Sequence, residues 1–184
     1  KSVEAFPLEY PEPHYNGTLR YVTLAKVSAD NGTVGWGECI SQFPEAALAT
    51  AMIIQRSYAP LLIGADALDV EARWRTMVDH TWWFGPEGIA AFGVSAIDMA
   101  LWDLKGKALG VPVAHLLGGQ IHTKVPAMGS IIFDMENSEW TENEFRWMRD
   151  QGYRMVKGGW GMRPEAVFGQ NRVSDVTLVD RIRN

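Results

Sequence analysis

From Gly85 to Gly119 one pattern dominates the chain. Ala90, Val94, Ile97, Leu101, Leu104 and Ala108 recur at alternating steps of four and three, the period of a single buried helix face. Pro86 suits the first turn of such a helix, where its missing N–H would be unpaired anyway. Gly110 followed by Pro112 supplies a left-handed end and a block to continuation. A short second helix should follow, closed by Gly118 and Gly119. Asp103 and Lys107 stand four apart in the favourable order for an ion pair. On physics alone this is a core helix.

The flanking sequence tells what the helix packs with. Lys1 to Leu8 is β-prone, and Pro7, Pro11 and Pro13 are expected to break it into a loop reaching Gly17. Thr18 to Ala29 and Thr33 to Cys39 are β-prone runs separated by Asp30-Asn31-Gly32, a strong hairpin signal because Asn and Gly both tolerate positive φ. Helices are expected over about Glu45 to Tyr58 and Leu68 to His80, the second with Val70, Trp74 and Met77 inward. Strands first and helices afterwards indicate an α+β domain over residues 1–120.

Beyond it, over 121–184, the grammar changes. Val125 to Phe133 and Tyr153 to Lys157 read as strands. Thr141-x-x-Glu144 reads as a capping box opening a helix, and Asp175 to Arg183 as another helix. Strand, helix, strand, helix is a parallel α/β pattern, too short to close by itself, since a complete (β/α)8 barrel takes about 250 residues. The 184 residues are therefore expected to be the front part of a longer protein.

Composition excludes several functions. The net charge of −5, with no basic stripe, gives no electrostatic reason for a nucleic acid or anionic membrane partner. The longest apolar stretch, near Gly88 to Ile97, stops at Asp98, short of the roughly 20 residues of a membrane span. A single cysteine, Cys39, rules out an internal disulfide and suits a cytoplasmic, reducing compartment; it reads as a small buried hydrophobe rather than a reactive thiol. No Gly-x-x-x-x-Gly-Lys-Ser/Thr, Gly-x-Gly-x-x-Gly, His-Glu-x-x-His or Cys-x-x-Cys is present. His80, His115 and His122 lack partners at metal-ligand spacing, and Trp82, Trp83 and Phe84 read as core or interface packing.

The run Ser95 to Lys107, with Pro112 and Leu116-Leu117-Gly118-Gly119, closely resembles the signature of the mandelate racemase/muconate lactonizing enzyme family of the enolase superfamily. Gly35-Trp36-Gly37-Glu38 upstream and Val156-Lys157-Gly158-Gly159-Trp160-Gly161 downstream match it in order. The resemblance implies a capping domain (antiparallel sheet plus helical bundle) followed by the first βα units of a modified TIM barrel. It also implies Mg²⁺, held by acidic residues expected beyond residue 184; neither Glu38 nor Asp134 occupies a matching place. A homo-oligomer is common in the family.

The resemblance makes Lys157 the catalytic candidate, at the end of the second barrel strand, with glycines at 158, 159 and 161 letting a substrate approach. Family members often carry Lys-x-Lys here. In this chain the second lysine is replaced by Gly159, which offers no base. A racemase wants a base on each face of the carbon, whereas a dehydratase can work with one acid/base group. The first expectation is therefore an acid-sugar dehydratase acting through an enediolate on a small carboxylate substrate. A racemase, epimerase or cycloisomerase of the same family is the alternative, and a non-catalytic fragment or partner-binding module is the alternative of another class. The loop Pro11 to Gly17 resembles the capping-domain loop that closes over the barrel mouth, with His14, Tyr15 and Asn16 as substrate-binding candidates. Ser41 and Phe43, in a second such loop, are weaker ones.

Overall fold

In the computed structural model, residues 1–15, 17–135, 137–159 and 168–183 are described. The chain divides into two compact units: Lys1–Pro11 with Leu19–Ile121, and Glu12–Thr18 with His122–Asn184.

Unit 1 begins with strand β1 (Ser2–Pro11), which pairs antiparallel with β2 (Leu19–Ser28); β2 pairs in turn with β3 (Val34–Ile40). The expected break at Pro7 does not occur. β1 is an edge strand, where a residue without an N–H can be accommodated. The β2–β3 hairpin closes where predicted: Ala29 N–H donates to Thr33 O (2.9 Å), and the Asn31 side chain accepts from Thr33 N–H. Gly32 alone adopts positive φ (+87°) in that turn.

Helix α1 (Pro44–Ile53) starts on a proline, widens into a π-helical turn at Ile54–Tyr58 and continues as α2 (Ala59–Leu62). The predicted helix is thus longer and irregular, and its wide turn leads into Pro60, which cannot donate to the preceding turn. In α3 (Val70–His80), Val70 and Met77 are buried, but Trp74 is exposed.

The long helix α4 (Ile89–Leu109) begins after Gly88, so Pro86 lies outside it. Ala90, Val94, Ile97, Leu101 and Leu104 are buried as the period requires; Ala108, in the last turn, is exposed. Each fully buried aliphatic side chain here stabilises by about 1.5–3 kcal/mol. Gly110 at φ +67° ends the helix, and α5 (Val113–Leu116) ends on Gly118 and Gly119 as expected.

The seam between α4 and β3 explains the Gly-Trp-Gly-Glu motif. Alternation along β3 turns Gly35 and Gly37 towards α4 and Trp36 and Glu38 away from it. A methyl on Gly35 would lie 2.7 Å from Leu104 N; one on Gly37 would collide with the Ala96 carbonyl and lie 2.7 Å from Ala100 N. Only glycine lets strand and helix backbones meet this closely. At the free edge of β3, Asp103 Oδ2 accepts from Trp36 N–H (2.8 Å), and the Lys107 ammonium donates both to Asp103 (2.6 Å) and to Val34 O (3.1 Å). The predicted ion pair therefore also satisfies an edge donor and an edge acceptor.

Behind the sheet, Tyr58 is fully buried, donates to Ala90 O (3.1 Å) and fills the space that a side chain at Gly93 would need. Burial pushes its phenol up to about 12. Cys39 is buried as predicted, and its thiol is raised, above all by burial. In the aromatic run Trp82 and Trp83 are 78% and 81% exposed and Phe84 is also exposed, in the turn before α4, which corrects the core reading and is compatible with the interface one.

Unit 2 contains β4 (Gly129–Ser130), α6 (Ser138–Asp150), β5 (Val156–Lys157) and α7 (Arg172–Arg183). β4 and β5 are parallel, Gly129 opposite Val156 and Ser130 opposite Lys157. Both strands are shorter than predicted. Gly152 N–H is taken by Arg149 O (2.9 Å) and Tyr153 N–H by Met148 O (3.2 Å), so Tyr153, expected to open β5, instead closes α6. The small core is Ile131, Phe133, Met148 and Leu178, with Phe133 set against Phe145 and Phe168.

The capping-box reading is also corrected. Asn137 caps α6 by accepting from Trp140 N–H (3.1 Å). Thr141 lies a turn further on, buried, accepting from Asp134 N–H (2.8 Å) and donating to Asp134 O (3.1 Å).

Candidate functional site

Lys157 ends β5, and its ammonium stem is exposed at the C-terminal end of the parallel pair. The next two residues are glycine for reasons the local backbone supplies. A methyl on Gly158 would run into the Phe133 ring and lie 2.8 Å from Ile131 O. Gly159 has φ +117°, a conformation in which any side chain is strained, and its carbonyl accepts from Phe168 N–H (2.9 Å). A second lysine at 159 would be strained in this backbone. Gly161 lies outside the described residues.

Of the loop candidates, His14 is the one whose surroundings are seen. It sits in a short 3-10 turn, Pro13–Tyr15, and its Nδ1 lies 2.9 Å from Glu144 Oε2. A carboxylate only accepts, so Nδ1 carries the proton. The imidazole also lies against the Trp147 ring, with centroids 4.1 Å apart. Sequence reasoning does not single out Trp147, and it names Glu144 only as part of a capping box. Glu144 had been given a capping duty; the signal available was its spacing of three from Trp147, which puts both on one face of α6. The Tyr15 side chain and all of Asn16 lie outside the described residues.

In the second loop Ser41 is buried at 3% exposure, its hydroxyl 3.4 Å from that of Thr23, while Phe43 is exposed. Ser41 is thus a core residue, and Phe43 keeps its surface position. Gln42 between them has φ +53°, an uncommon conformation for a non-glycine residue. A cavity of about 350 Å³ in unit 1, lined by Val27, Leu62, Leu101, Leu104 and Arg73, contains none of the candidates.

Among the described residues no group of three His, Cys, Asp or Glu side chains is placed to hold a metal ion. These residues do not fit a Mg²⁺ site. Among them also, no helix is long and apolar enough to cross a membrane.

Comparison with known proteins places this geometry. A D-galactonate dehydratase family member of Paenibacillus sp. is 37% identical over 151 residues, covering 79% of this chain and 35% of that protein. The D-galactarolactone cycloisomerase of Agrobacterium fabrum is 32% identical over 147 residues, covering 77% of this chain and 38% of its own. A racemase structure from Streptomyces coelicolor A3(2) with bound magnesium superposes with a TM-score of 0.83 over 98% of this chain and 50% of that one; at 24% identity it speaks to the fold. The matches thus span about a third of the curated relatives' length and half of the solved structure's. The family described as mandelate racemase / muconate lactonizing enzyme, N-terminal domain, matches residues 13–118. With that domain's antiparallel sheet and helices in place, the chain belongs to the mandelate racemase/muconate lactonizing enzyme family of the enolase superfamily.

Proposed function

We propose that residues 1–120 are the capping domain and 121–184 the opening of the barrel of an acid-sugar dehydratase, with Lys157 at the substrate carboxylate. The observation that carries this reading is Gly159 at φ +117° directly after Lys157-Gly158. The backbone there disfavours a second lysine, which supports one-base chemistry over two-base racemisation. The dehydratase relative supports the same reaction class.

The Lys157 ammonium pairs with the carboxylate and stabilises negative charge that grows there. A single acid/base group from elsewhere in the protein takes the proton next to the carboxylate, and the C–H electron pair moves into an enediolate. Collapse of that enediolate expels the β-hydroxyl, which leaves as water with the same group's proton. The resulting enol becomes a 2-keto-3-deoxy acid. His14, Tyr15 and Asn16 offer hydrogen bonds to the sugar hydroxyls. Magnesium, bound in the Streptomyces structure, belongs to the proposal as a cofactor whose ligands lie outside these 184 residues; no step here is assigned to it. A homo-oligomer in the cytoplasm, without nucleic acid or membrane partners, completes the reading.

The cycloisomerase of Agrobacterium fabrum favours ring closure or opening as a second reading. Screening the full-length protein against sugar acids with Mg²⁺ in deuterated water separates the two. A 2-keto-3-deoxy product supports dehydration, whereas α-deuterium without loss of water overturns it. Lys157→Met should lower kcat/KM by about a hundredfold or more with the fold intact; a loss under threefold would remove Lys157 from the site.

A further inference from the structure

The loop between β1 and β2 is tied down at neck and tip, and the tip contacts come from α6. At the neck Glu12 N–H donates to Thr18 O (3.0 Å) and Gly17 N–H to Glu12 O (3.1 Å). At the tip His14 donates to Glu144 and lies against Trp147. The Glu144 side chain is 14% exposed and that of His14 31%, so the bond is sheltered from the water that weakens surface pairs. A merely solvated turn would need none of these contacts.

We propose that Glu144 and Trp147 are positioning residues. Through His14 they hold the tip of this loop against α6, where the imidazole meets a polyhydroxylated acid. Glu144 also orients the imidazole: with Nδ1 engaged by the carboxylate, Nε2 is the ring nitrogen left for a sugar hydroxyl. The substrate half of this inference rests on the dehydratase reading above; the anchoring half does not.

Amide hydrogen exchange of the full-length protein tests the anchor without any substrate. In Glu144→Ala, peptides covering 12–18 should exchange about tenfold faster or more, the factor that corresponds to a charge-assisted hydrogen bond. Peptides from α4 and α6 should be unchanged. Trp147→Ala should accelerate the same peptides, and Trp147→Phe should restore most of their protection. Should Glu144→Ala not fold, Glu144→Gln keeps the size and loses the charge, and the same acceleration is expected in smaller degree. A folded variant with unchanged exchange at 12–18 overturns the anchor. With an active substrate, the loss should fall on KM by about tenfold with kcat within about threefold. A fall in kcat alone would overturn the substrate half while leaving the exchange result to decide the anchor.

Discussion

Both units place glycine where packing is tightest, yet the two seams differ in what the glycine faces. On β3, Gly35 and Gly37 face the backbone of α4, with Ala96, Ala100 and Leu104 as their neighbours. After β5, Gly158 faces mainly the ring of Phe133. A helix backbone held by its own hydrogen bonds cannot retreat without moving the whole helix, whereas a ring at the end of two torsions can turn. The same residue type therefore marks a rigid joint in one unit and a yielding one in the other.

Gly37→Ala should give the largest effect. Its methyl meets a carbonyl and an amide of α4 at once, so helix and sheet must separate, at about 3 kcal/mol or more. The urea midpoint of the purified protein measures this. Gly158→Ala should cost less, about 1–2 kcal/mol, confined to protection of unit 2 amides in hydrogen exchange. Combining it with Phe133→Leu should cost less than the sum of the two single changes, because the smaller side chain vacates the clash. An additive double variant would mean that Ile131 O, 2.8 Å from the added methyl, sets the cost, and the contrast between the two seams would collapse.

What could be read in advance follows the same division. The apolar period of α4, its Gly110 stop, the Asn31-Gly32 hairpin and the Asp103–Lys107 pair are local patterns, and local patterns survive into the fold. The glycines of β3 were legible as part of a family motif, but their reason was not, because it lies in alanines some sixty residues away on α4. Glu144 was misread since a capping box and a long-range acceptor look alike in sequence; Asn137 took the cap and left Glu144 to His14. For Trp82 and Trp83 residue type alone leaves core and interface packing open, and their exposure removes the core. At the candidate site, Lys157 was legible from the motif, whereas the strain forbidding a second lysine needed the φ of Gly159.

Two helix carboxylates, Glu142 in one unit and Asp98 in the other, also differ in their surroundings, and this gives the smallest expected effect. On α6, Glu142 accepts from Arg181 Nε (3.2 Å) and pairs with Arg146. On α4, Asp98 is half-buried with no hydrogen bond to its carboxylate among the described residues. Its pKa is raised, first by burial and then by the negative charge of Glu71. A carboxyl that holds its proton to higher pH folded than unfolded makes the folded state the better proton binder. Stability therefore falls as pH rises from the ordinary carboxylate range, about 4, through the raised folded value, and the penalty is complete above it. Asp98→Asn should then raise the urea midpoint at pH 7, and by less at pH 4, where more of the aspartate holds its proton in the fold. Glu142→Gln should act with the opposite sign at pH 7, by up to about 1 kcal/mol, since it removes partly exposed ion pairs. If Asp98→Asn were destabilising at pH 7, the ionised carboxylate would have a stabilising role on α4, and the two carboxylates would not differ in the way the geometry implies.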